Sequence, residues 1–275
     1  MPTIDRGSQR LYFEVTGQGP AIVLGHSFLC SGAMWEPQIE ALSAHHRVIN
    51  VDLRGHGQSG PVDGAFDLYD LVDDVLAVLD HLQVNKAIWA GLSIGGMVAI
   101  RAALRNPDRV AGLILLDTHA GAETWPNRAK NLVMTALARR VGVVRLAPVI
   151  AQMFFCGHSR KHRATMVQAW RDRFAAVPLE TALRGAEALK RRDSVVGQLA
   201  DIRVPALVMV GERDEPLPPR CAEQLATGIP DSSLLIIAEA GHLSTLEQPE
   251  TVTSAMLAYL RSIGAGGESE RDHGG

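Results

Sequence analysis

Two hydrophobic periods alternate along this chain. Runs that are apolar almost throughout, "AIVLG" (21–25), "RVINVD" (47–52), "KAIWAGL" (86–92) and "VAGLILLD" (110–117), read as strands covered on both faces. The earlier "RLYFEVTG" (10–17) alternates, as a half-buried strand does. Between these runs the spacing turns helical. "MWEPQIEALSAHH" (34–46) predicts a short helix. "DLYDLVDDVLAVLDHL" (67–82) predicts a longer one, with Leu68, Leu71, Val72, Val75, Leu76, Leu79 and Leu82 on one stripe and Asp67 as its N-cap. "IGGMVAIRAALRN" (94–106) predicts a third. Strands and helices in alternation imply right-handed βαβ units and a mainly parallel sheet flanked by helices.

The rhythm breaks after Asp117. From 121 to about 195 no strand pattern is visible, and the Ala-, Leu-, Arg- and Met-rich sequence predicts several helices interrupted at Gly142, Pro148, Gly157 and Pro178. Strand and helix signals then resume in "VPALVMVG" (204–211), "PRCAEQLATG" (219–228), "SLLIIA" (233–238) and "PETVTSAMLAYLRSI" (249–263). The expected organisation is a discontinuous α/β core over 1–120 and 196–263, a helical cap inserted at 121–195, and a polar, glycine-rich disordered tail at 264–275.

Charge sharpens that division. Residues 119–200 hold fourteen Lys and Arg against five Asp and Glu, although the whole chain has a formal net charge of −3, so a basic insertion sits on an acidic body. The overall balance points to neither nucleic acid nor an anionic membrane as partner. Cys30, Cys156 and Cys221 lie far apart with no metal-ligand spacing, which fits reduced thiols and a cytoplasmic location, with no metal expected. The N-terminal residues carry no secretory pattern, and no apolar run approaches the length of a membrane span.

The chemistry concentrates at "AGLSIGG" (90–96), between a predicted strand and a predicted helix. The pattern G-x-S-x-G places Ser93 on a sharp turn with positive φ, where Gly91 and Gly95 remove side chains that would collide. Such a turn lifts the hydroxyl off the sheet and aims the helix N-terminus, with the N–H of Ile94, at a developing oxyanion. Close strand–helix packing alone is the competing account of the glycines. The strand-then-helix setting favours a nucleophile.

A serine needs a base, and the base needs an orienting acid. His242, in the loop "EAGHLSTLEQPE", and Asp214, in "VMVGERDEP", both follow predicted strands, where open α/β sheets build their sites. Asp117 also ends a strand and competes for the role of acid, and Glu212 is a lesser rival. Among the histidines, His56 fits a structural turn, and His119 follows a strand without being the expected base. A second oxyanion donor is expected in the loop "LGHSFLCSGAMW", at the N–H of Phe28, with Ser27 adding a hydroxyl or holding the loop.

With "LGHSF", "MWEPQI", "VDLRGHGQS", "GLSIGGMVA", "RVPALVMVGERDEPLPP" and "AGHLSTLEQPE" in place, nearly the whole chain resembles the α/β-hydrolase superfamily. Within it, the serine in the early loop, the "MW-x-PQI" helix, "GLSxGGMV", the "HLSxxExPE" ending and the "TWPNR" element with Trp125 and Arg128 are similar to 3-oxoadipate enol-lactonases. His26 and Leu29 depart from that group's usual Asn and Gly beside the oxyanion loop. The resemblance implies an α/β-hydrolase fold with an inserted helical cap. It also implies cofactor-free hydrolysis of an ester or lactone through Ser93, His242 and Asp214, with a carboxylate-bearing enol-lactone favoured and Ser27, Trp125 and Arg128 as candidate substrate contacts. The small-molecule partner is then anionic, the basic cap steering it, although solvated helix faces would carry such arginines too. Hydrolysis of a carbon–carbon bond in ring-cleavage products, haloperoxidase-like perhydrolysis and a non-catalytic small-molecule receptor are the alternatives on the same fold.

Overall fold

The computed structural model describes residues 2–62, 64–123 and 125–269, with the side chains at 125–128, 130 and 265–269 excepted. Among the described residues eight strands form one sheet: β1 (Thr3–Arg6), β2 (Gln9–Thr16), β3 (Ala21–Gly25), β4 (Arg47–Asp52), β5 (Ala87–Leu92), β6 (Val110–Leu116), β7 (Ala206–Gly211) and β8 (Ser232–Ile237). Their order is β1-β2-β4-β3-β5-β6-β7-β8. β2 runs antiparallel to both β1 and β4, and every other pair is parallel. The helices follow in chain order as α1 (Glu36–Ser43), α2 (Leu68–His81), α3 (Ile94–Arg105), α4 (Trp125–Phe154), α5 (Gly157–His162), α6 (Ala164–Ala176), α7 (Leu179–Arg191), α8 (Arg220–Gly228), α9 (Ser244–Glu247) and α10 (Pro249–Ser269).

The continuous apolar runs are explained by two cores, one on each face. On one, Val23, Ile49, Val51, Trp89, Leu113, Leu115, Val208 and Val210 pack with α2, α3 and α8. On the other, their strand neighbours Ile22, Leu24, Val48, Ile88, Ala90, Ile114, Leu116, Leu207 and Met209 pack with α10 and the helices of 125–191. A strand with period-2 side chains has no solvent face left in such a sheet, so both parities must be apolar. α2 begins where the capping signal falls. Asp67 accepts the N–H groups of Tyr69 and Asp70, and the Asp70 carboxylate accepts that of Asp67. Its stripe buries Val78, while Leu76 is only half-buried and Leu82 lies past the helix end.

Three sequence expectations shift, and one strand was not foreseen. β1 carries no visible pattern because it is a short edge strand, half exposed. The helix expected at 34–46 begins as a 3-10 turn over Gly32–Trp35 and is α-helical only over Glu36–Ser43, because proline follows one residue inside its start. Pro148 does not break α4; the break is at Gly142, with φ 79° and ψ 161°. Pro148 and Val144 both face outward, so the carbonyl that loses its helical donor lies on the solvent side. The chain expected to be tail from 264 continues as α10 to Ser269, since glycines weaken a helix without stopping it as proline does. Residues 270–275 lie outside the described residues. No described helix is long and apolar enough to cross a membrane.

Candidate active site

β5 ends at Leu92 and α3 starts at Ile94, leaving Ser93 alone to make the turn, with φ 57° and ψ −115°. That conformation costs a non-glycine residue about 1–3 kcal/mol, and its surroundings hold it. The Ser93 N–H donates to the Leu116 carbonyl (2.9 Å), and the Thr118 hydroxyl donates to the Ser93 carbonyl (2.7 Å). A Cβ on Gly91 would collide with the backbone of Gly95, and one on Gly95 with the carbonyl of Gly25. The glycines therefore let α3 lie directly against β3 and β5. Ile94, the first helical residue, has an N–H with no acceptor within the helix.

His242 Nε2 lies 3.0 Å from Ser93 Oγ, and His242 Nδ1 lies 2.9 Å from Asp214 Oδ2. All three are buried. Burial opposes a charge on His242, but Asp214, and after it Asp117 and Glu247, outweigh it and hold the imidazole above its usual value. Asp214 is set by its own turn: its Oδ1 accepts the Leu217 N–H at 2.9 Å, and its N–H donates to the Gly211 carbonyl. Of the rival acids, Glu212 is exposed, and Asp117 is buried with its carboxylate on Gly211 and Ser244.

The loop after β3 is braced by two histidines. His26 Nδ1 lies 2.7 Å from the Ser27 carbonyl while its Nε2 accepts the Leu53 N–H at 2.9 Å. His56 Nδ1 lies 3.0 Å from the Arg54 carbonyl, and its Nε2 accepts the Leu29 N–H at 3.4 Å. Each ring thus donates from one nitrogen and accepts at the other, which only the neutral form can do. Burial lowers His26 to about 4; burial, then His26 itself, lowers His56 to about 3. Leu29 has φ 62°. This bracing faces Phe28 into the cavity beside Ser93 and His242. Ser27 is fully buried, its N–H on the Met34 sulfur, and lies outside the cavity lining.

That cavity, of about 230 Å³, lies between the strand ends and α4 and α7. Met97, Met134, Leu146, Ile150, Met153 and Phe154 make its wall largely apolar. Glu123, Asn131, Thr135 and Arg192 are the polar part. Arg192 Nη1 donates to Glu123 Oε2 (2.9 Å), Asn131 donates to the same oxygen (3.1 Å), and Arg192 Nη2 donates to His119 Nε2 (2.8 Å). Burial, then Arg192, lowers His119 to about 4 and keeps it a neutral acceptor. The side chains of Trp125 and Arg128, expected in this wall, lie outside the described residues. Among the described residues no group of three His, Cys, Asp or Glu is placed to hold a metal ion.

The sequence reading missed the junction between the end of α4 and the histidine loop. The His242 N–H donates to the Phe154 carbonyl, and the rings of Phe154 and His242 are 5.0 Å apart. Glu247, fully buried, accepts the N–H groups of Gly241 (2.8 Å) and Cys156 (2.9 Å). The only signal for this was a glutamate five residues after the histidine.

The family model of the alpha/beta hydrolase fold matches residues 20–249. 3-Oxoadipate enol-lactonase 2 of Acinetobacter baylyi is 31% identical, over 91% of this chain and 93% of its own. Among solved structures, a thermophilic esterase from Thermogutta terrifontis superposes with a TM-score of 0.88 at 33% identity, over 93% of this chain and 94% of that one. The enol-lactonase from Burkholderia xenovorans gives 0.87 at 29%, over 94% and 100%.

Proposed function

This chain belongs to the alpha/beta-hydrolase family, and from that premise we propose that it hydrolyses carboxylic esters or lactones through Ser93, His242 and Asp214. The observation that carries the reading is the continuous pair of contacts, 3.0 Å from hydroxyl to imidazole and 2.9 Å from imidazole to carboxylate. Ser93 Oγ attacks the acyl carbon as His242 Nε2 takes its proton, and Asp214 holds the ring with Nδ1–H toward itself. The N–H groups of Phe28 and Ile94 receive the oxyanion, each such donor being worth about 10²–10³ in rate. His242 returns the proton to the leaving oxygen and then draws one from water, which releases the acid and frees Ser93.

The finer reading is an enol-lactone carrying a carboxylate. Its support is the likeness to two enol-lactonases and the Trp125 and Arg128 element. Arg192 is already paired with Glu123, and Arg128 is the candidate for the substrate carboxylate. The test is a panel of p-nitrophenyl acetate, neutral lactones, carboxylate-bearing enol-lactones and ring-cleavage diketones, run on native protein, Ser93→Ala and Arg128→Ala. Ser93→Ala is expected to abolish all turnover. Arg128→Ala is expected to raise KM for the carboxylate-bearing lactone alone. A Ser93→Ala protein as active as the native one sinks the hydrolase reading, and an Arg128→Ala protein whose KM for the carboxylate-bearing lactone is unchanged sinks the finer one.

A further inference from the structure

Three buried carboxylates surround His242, and the reaction above uses one of them. Glu247 is committed to the backbone N–H groups of Gly241 and Cys156. Asp117, the residue after β6, has no solvent exposure and sits in the left-handed region at φ 46°. Its N–H donates to the Met209 carbonyl (2.9 Å). Its Oδ1 accepts the Gly211 N–H (2.7 Å), and its Oδ2 accepts the Ser244 hydroxyl.

The placement of those partners matters. Gly211 ends β7 three residues before Asp214, and Ser244 stands two residues after His242. On either side of Asp117, the Leu116 carbonyl and the Thr118 hydroxyl bond the Ser93 backbone. Residues 116–118 therefore touch all three segments of the site, and Asp117 ties the acid's strand to the base's loop. A buried carboxylate is a costly way to make a tie that an amide would also make. Burial, and after it the nearby Asp214, push the Asp117 carboxyl well above the usual range, while His242, Ser244 and Gly211 pull the other way. Its ionised form is favoured most when His242 is an imidazolium, whose charge, with the Ser244 and Gly211 donors, opposes the burial.

We propose that Asp117 is a positioning residue of this reaction, fixing the bearing of His242 on Ser93 through Ser244 and Gly211 and supporting with its charge the imidazolium formed at each proton transfer. The proposal rests on the reading of Ser93 and His242 as nucleophile and base. The charged groups that face the imidazole with Asp117 are Asp214, from the end of β7, and Glu247, from α9. Both are carboxylates, so removing Asp117 leaves the ring less easily protonated.

The experiment measures kcat and KM for p-nitrophenyl acetate from pH 5 to 9 in native protein, Ser93→Ala, Asp117→Asn and Ser244→Ala. An amide at 117 accepts from Gly211 and donates to Ser244 Oγ, so it deletes the charge and spares the ties. Ser244→Ala deletes one tie and spares the charge. In Asp117→Asn, the acid limb of kcat/KM is expected to move down by about 0.5–1 pH unit, the effect of one removed charge at partial screening. In Ser244→Ala the limb stays and kcat falls roughly tenfold with KM within about twofold, as a misaimed base requires. Native activity that depends on Ser93, with either an Asp117→Asn limb superimposed on the native one or Ser244→Ala kcat unchanged, overturns the role of Asp117 alone. A native protein inert toward the ester, or Ser93→Ala as active as native, overturns the hydrolase reading and this role with it.

Discussion

A methyl group on Gly95 would strike the carbonyl of Gly25, which is backbone and has no rotamer to yield. Gly95→Ala is therefore expected to cost about 1–3 kcal/mol by overpacking. Because α3 must retreat from β3, the N–H of Ile94 retreats with it. Urea unfolding and ester turnover should both register the change, and a variant native in both would show that the close approach is dispensable. Ser93, Asp214 and His242 were legible in the sequence for one shared reason: each follows a strand, where the pattern itself marks the carboxyl edge of a parallel sheet. His56 was legible only as a turn residue. Its hold on Leu29 joins residues 27 apart, and nothing in either local pattern announces the other. The same holds for Asp117 with Ser244, which are 127 apart. The sequence supplied Asp117 as a rival acid, and only the fold gives the partners its oxygens take.

At the scale of elements, most of the sheet could be read directly, because strands buried on both faces leave no room for polar residues. β1 lay beyond that logic, being a half-exposed edge whose pairing comes from β2. Helix boundaries were legible where side chains fix them. The box at Asp67 and Asp70 satisfies three N–H groups at the start of α2, and Asp67→Ala is expected to lower stability by about 1 kcal/mol. A reduced urea midpoint with an unchanged m-value is the signature, and an unchanged midpoint would mean that burial of Leu71, Val75 and Val78 alone sets the helix. In α4 the break falls at Gly142 rather than at Pro148, because positive φ is open to glycine while an outward-facing proline gives up a bond on the wet side. Which of two breakers acts depends on which face each occupies, and that is fixed by the cavity beneath, lined by Ala138, Val143 and Leu146.

At the scale of the whole molecule, the buried histidines link stability to pH. His26 and His119 are lowered to about 4 and His56 to about 3, each by burial first. In the unfolded chain the same rings titrate near 6.5. Above that value both states are neutral and these rings give no pH dependence. As pH falls below it, the unfolded chain binds protons that the folded protein refuses, so stability drops until the folded rings themselves titrate. Each ring contributes a slope of about 1.4 kcal/mol per pH unit within that window. His242 is held above its usual value and acts in the opposite sense, its stabilisation being present at low pH and lost as pH rises through its folded value. Three rings against one leave a net loss on acidification, offset in part by the raised carboxyl of Asp117, which acts in the same sense as His242. The urea midpoint at pH 5 is accordingly expected well below that at pH 7.5, and His56→Gln, whose amide donates and accepts without titrating, should shrink the difference. Equal midpoints at the two pH values would contradict the neutral rings. His26 and His56 refuse those protons while folded, so the loop that bears Phe28, the proposed second oxyanion donor, keeps its bracing for as long as the fold stands.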